Sequence, residues 1–142
     1  MKDMEFNAKS AWAMIVALSI AGLFYVVPVL LVLFGAGGVL PPGPLAIGFV
    51  VILIVISIIA HVIIALSNVS EATETRDERD RAFLHFAGHW SGIALAIGVI
   101  ASLLTYLLLA QGDMLFHMIL TSLILASLVE YVLIIIAYRQ SV

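Results

Sequence analysis

Five side chains have the types from which chemistry could be built in this otherwise apolar chain: His61, His85, His89, His117 and Glu130. Imidazole and carboxylate together are ligands for zinc and other first-row metals. Two histidines on facing helices can hold a b-type haem through its axial positions. A line of such groups inside a membrane is also a route for protons or ions. His85 and His89 stand four residues apart, so on a helix they share one face. Gly88 and Gly92 adjoin that face in the small-xxx-small spacing that lets a second helix approach. Ser57 lies one turn from His61, while Ser127 and Tyr131 flank Glu130. The chain has no cysteine, which removes disulfides, thiolate nucleophiles and cysteine-ligated clusters. It also lacks a Ser-His-Asp set, a phosphate loop with its lysine, and paired carboxylates, so an enzyme is not expected and no residue is assigned a catalytic role.

The elements that carry these residues follow from composition. Of 142 residues, 64% are hydrophobic and 11% charged, whereas a water-soluble domain has about a quarter charged. No Asp, Glu, Lys or Arg occurs between Lys9 and Glu71, or between Arg81 and Asp113. A helix needs about 20 residues to cross a hydrocarbon core about 30 Å thick, so the chain divides into four spans at 11–34, 45–66, 82–109 and 115–138. The first is too long for a signal-peptide core and reads as a retained anchor, with Trp12 at its interfacial start. Dense helix breakers from Gly35 to Pro44 form a loop after it. The second span is rich in Ile and Val but helical, because backbone groups in lipid must pair within their own segment. Gln111, Gly112 and Asp113 make so short a connection that the last two spans run antiparallel. The expected fold is one domain, an all-α integral membrane four-helix bundle in up-down order.

All six cations, Lys2, Lys9, Arg76, Arg79, Arg81 and Arg139, fall before the first span, in the 68–81 loop or after the last span. By the positive-inside rule those segments and both termini are cytoplasmic. Counted from the nearest polar loop residue or charge, His61, His89 and Glu130 all come out about 10–13 Å inside, one polar group on each of three helices at one level. The simplest expectation is a buried polar latch, with Glu130 bonded to His61 or His89. The sharper alternatives are a metal held by His61, His89 and Glu130 with His85 as a further ligand, a haem between His61 and His89, and an ion path through the cluster in an oligomeric transporter or channel. His85 alone and His117 read as interfacial or packing residues, the latter near the outer surface.

The 68–81 loop holds eight of the chain's fifteen formal charges. Thr75 precedes Glu78 by three, the capping-box spacing, so a helix is expected to start there and run into the third span. Arg76, Asp77, Glu78, Arg79, Asp80 and Arg81 then form either a solvated connector or a docking surface of mixed charge for a protein partner. With a net charge of −3 and no extended basic surface, nucleic acid is not an expected partner.

The run Asp77-Glu-Arg-Asp-Arg81 opening a span, Lys9-Ser-Ala-Trp12 opening the first, and the stretch from Gly48 to His61-Val-Ile-Ile-Ala65 closing the second resemble a family of small four-span bacterial inner-membrane proteins classed as a domain of unknown function. The similarity covers most of the chain. It implies a multi-pass protein of the bacterial inner membrane, and an association with helix-turn-helix regulators that would suit docking through the charged loop. It implies no activity or catalytic residues. The chain departs from the family pattern in having Leu84 and His89 where a Glu and an Arg are usual, and Ser127 and Glu130 where the pattern is Glu-x-x-Arg. The expected function is therefore an accessory subunit or regulator working through protein contacts, with self-association, for which no motif speaks, a further expectation, and with haem or metal binding and proton-linked transport as the rival classes.

Overall fold

The computed structural model describes residues 2–35, 37–67 and 78–140. Its four helices are α1 (Lys2–Gly35), α2 (Pro42–Ser67), α3 (Glu78–Leu109) and α4 (Gly112–Gln140). They contain apolar stretches of 28, 25, 29 and 28 residues, each long enough to cross a bilayer. The chain is thus an all-α membrane bundle with the four expected spans.

The helix ends differ from the sequence boundaries in ways that local chemistry explains. Pro42, Gly43 and Pro44 form the first turn of α2 rather than the end of the loop, because proline's fixed φ and missing N–H suit a first turn, where those donors have no partner in the helix. The α3–α4 turn is tighter than expected and centres on Ala110 and Gln111. Ala110 takes a left-handed conformation at φ 52° and donates its N–H to the Tyr106 carbonyl at 2.7 Å. That is a helix-ending geometry usually given to glycine, and alanine holds it at a cost of about 1 kcal/mol. Asp113 and Arg139 sit in the first and last turns of α4, each complementing the helix dipole there. The expected cap from Thr75, and the residues Arg76 and Asp77, lie outside the described residues, while Glu78, Arg79 and Asp80 are the first turn of α3.

The packing order is not the chain order. α1 packs on α2 and α4, α4 packs on α1 and α3, and α2 touches α4 only lightly. Among the described residues, no Cα of α3 lies within 8 Å of one in α1 or α2. α1 and α4 therefore carry most of the core, in two clusters. Ala11, Ala87, Ile134, Ile135 and Tyr138 form one, towards the end that holds the termini. Ala21, Tyr25, Phe49 and Ile124 form the other, towards the turn end.

Lipid tails are as apolar as leucine, so van der Waals fit rather than the hydrophobic effect must hold these helices together. Each main interface has one glycine at close approach. A Cβ built at Gly48 would lie 2.8 Å from the Phe24 ring, one at Gly22 3.1 Å from Ile124, and one at Gly98 2.4 Å from the Ser122 hydroxyl. Gly88 and Gly92, whose spacing marks them as a packing motif in the sequence, meet nothing within 4 Å.

Candidate functional site

Polar side chains gather at two levels. Towards the termini end, α1 and α2 meet through Ser10 and His61. The His61 Nδ1–H donates to the Ser57 carbonyl at 2.8 Å, since a carbonyl can only accept. In a neutral ring Nε2 is then the acceptor for the Ser10 hydroxyl at 3.2 Å. At the same end α3 and α4 meet through Ser91 and Glu130. The single hydroxyl proton of buried Ser91 is shared between the Gly88 carbonyl at 3.1 Å and Glu130 Oε2 at 3.4 Å.

His61, His89 and Glu130 are not brought together. His61 is bonded within the α1–α2 pair and Glu130 within the α3–α4 pair, and α2 does not reach α3. His89 lies exposed on α3 with its ring edge-on to Trp90, the centroids 6.2 Å apart. Among the described residues no three of the His, Asp and Glu side chains are grouped to hold a metal. Equal depth along three helices does not make neighbours when the packing order is α2, α1, α4, α3.

His85 and His89, with Arg81, Leu84 and Gly88, line one open groove on α3. Its level can be read from the tight α3–α4 turn, which fixes one membrane surface. Counting about 20 residues back from there places the other hydrocarbon edge near Trp90. Trp90 and Trp12 are 48% and 50% exposed, as expected of an interfacial aromatic belt. On that count the histidine pair lies at this edge and just beyond it, nearer the surface than a count from Arg81 gives, while the apolar stretch of α3 runs from Arg81 to Leu109.

The second level belongs to His117, which the sequence leaves as a packing residue. It is buried, 4% exposed. Its Nε2–H donates to the Leu40 carbonyl at 2.8 Å, and Nδ1 accepts from the wholly buried Tyr25 hydroxyl at 2.6 Å. One imidazole thus ties α4 to α1 and to the α1–α2 connection. Tyr25 was the available signal, since a phenol in mid-span needs a partner for its O–H. His117 also borders an apolar cavity of about 260 Å³ between α1, the connection and α4, lined by Val29, Leu33, Val39 and Met118.

No family model, curated protein or solved structure matches this chain. What fold and polar sites define is a class: a multi-pass α-helical membrane protein whose interhelical bonds are made pairwise.

Proposed function

We propose that the protein is an accessory subunit or regulator of the bacterial inner membrane, engaging a protein partner through the charged start of α3. One observation carries this reading. Glu78 stands twelve residues ahead of Trp90 on a continuous helix, which is about 18 Å, whereas a headgroup zone is only about 5–7 Å deep. The first turn of α3, Glu78-Arg79-Asp80, therefore lies on the water side of the headgroups, and a run of mixed charge there is of the kind that gives a partner electrostatic register. The pairwise bonding of His61 and Glu130 gives the metal, haem and ion-path readings no comparable support.

A photo-crosslinking residue at Arg79 is expected to give one dominant protein adduct in cells, lost on Arg76→Glu, while the same probe at Leu108 gives none. Equal, diffuse labelling at both positions would sink the docking role. The proposed orientation rests on the six cations sharing one side. As the chain has no cysteine, a single one at Gly38 should react with an impermeant maleimide on intact cells. One at Arg79 should react only after permeabilisation, and the opposite pattern reverses the topology.

A further inference from the structure

Among the described residues that line it, the groove on α3 offers three donor side chains, Arg81, His85 and His89, and no carboxylate. At 100° per residue the three fall within about 80° of one another on the helix. This strip is turned away from Ala87, Ser91 and Gly98, which face α4. Among the described residues none of the three donors has a hydrogen-bonded or ionic partner. Leu84 gives the groove an apolar wall, and Gly88 leaves it open, since a Cβ there would meet nothing within 4 Å.

The level of these groups identifies what they face. Measured along the helix from Trp90, His89 is about 1.5 Å further out, His85 about 7.5 Å and Arg81 about 13.5 Å. Lipid phosphates lie in the headgroup zone, which is about 5–7 Å deep, so the two imidazoles bracket the phosphate layer, and Arg81, whose Cα lies about 7–8 Å beyond it, reaches it with its side chain extended back along the helix. A metal ion is disfavoured by the adjacent Arg81 and by having only two ligands. A zwitterionic head would set its own ammonium against the same arginine. Glu78 falls on the same strip one turn earlier, about 4.5 Å further out than Arg81.

We infer that this groove binds the phosphate of an anionic phospholipid, with Arg81, His85 and His89 as its donors. The site adjoins the docking turn, with Arg81 common to the charged run and the groove, and does not depend on the partner reading. Binding fixes the rotation of α3 about its own axis at the membrane surface, where among the described residues it packs on α4.

Native mass spectrometry of the full chain in detergent, titrated with phosphatidylglycerol and with phosphatidylcholine of equal chain length, tests this. The expected result is one retained phosphatidylglycerol, preferred about fivefold over phosphatidylcholine. The preference should disappear in Arg81→Ala and in His85→Ala/His89→Ala, return in part in Arg81→Lys, and fall in Gly88→Leu, which fills the groove without changing charge. Arg139→Ala should leave it intact, and circular dichroism should show unchanged helicity in every variant. Equal retention of the two lipids, or a preference that survives the double histidine variant, overturns the assignment. So does competition by millimolar glycerol phosphate as strong as that by the lipid, because the site would then be one for a soluble phosphate. None of these outcomes bears on the Arg79 crosslink, so the two readings fail separately.

Discussion

Replacing His117 with alanine is expected to destabilise the protein by about 2–3 kcal/mol. The substitution removes one imidazole but orphans two groups: the Tyr25 hydroxyl, which is wholly buried, and the Leu40 carbonyl. A buried polar group without a partner costs about 1–3 kcal/mol. Interhelical bonds in membranes average nearer 0.6 kcal/mol, which holds the total to the lower part of the combined range. Tyr25→Phe, which orphans only Nδ1, should cost about 1 kcal/mol, and the double variant should cost less than the two single losses together, because they share one bond. Unfolding by SDS titration in mixed micelles measures this. A second readout is local: a cysteine placed at Val39 should react faster with maleimide once His117 no longer holds the connection. Additive losses, or labelling indifferent to His117, would show that this imidazole is a passive filler.

The second large effect concerns Gly98. Its replacement by alanine sets a methyl group 2.4 Å from the Ser122 hydroxyl and 2.5 Å from the Ser122 Cβ. The obstacle lies next to backbone rather than at the tip of a long side chain, so α3 and α4 must separate to admit it. Overpacking of this kind costs about 1–3 kcal/mol, and here it falls on the only neighbour α3 has among the described residues. A loss of about 2 kcal/mol is expected for Gly98→Ala, and a detached α3 for Gly98→Leu. Ser122→Gly should rescue the alanine variant by moving the notch to the other helix. The matching change at Gly92 should cost nothing and gain a little helix propensity, since nothing faces it. A Gly92→Ala penalty as large as that at Gly98 would mean that the interface has been placed on the wrong flank of α3.

These two positions show where sequence was informative and where it was not. The spans could be read because lipid imposes two blunt requirements, about 20 apolar residues per crossing and a backbone paired within each segment. The breakers from Gly35 and the polar turn at Gln111 then left little freedom in placing the helices. Rotation and order about the bundle axis obey no such rule. Gly88 and Gly92 have the spacing of a contact motif and face open space, whereas Gly98, at the centre of the equally spaced run Ala94, Gly98 and Ser102, makes the closest approach. His61, His89 and Glu130 share a level, and level is all that counting along a chain yields. Whether two helices touch is decided by the side-chain relief along their sides, which becomes visible only after α4 is seen between α1 and α3. His117 escaped notice for a related reason: one of its partners is a backbone carbonyl in a connection that spacing alone gives no cause to bring near α4.

The packing order bears on how the protein enters the membrane. Each neighbouring pair in sequence, α1 with α2 and α3 with α4, can associate as soon as both members leave the translocon. The contact between α1 and α4 has to wait for the last segment to be synthesised. Until then the phenol at Tyr25 is left in lipid without the imidazole that partners it. The bond between α1 and α4 is thus the one that closes the bundle.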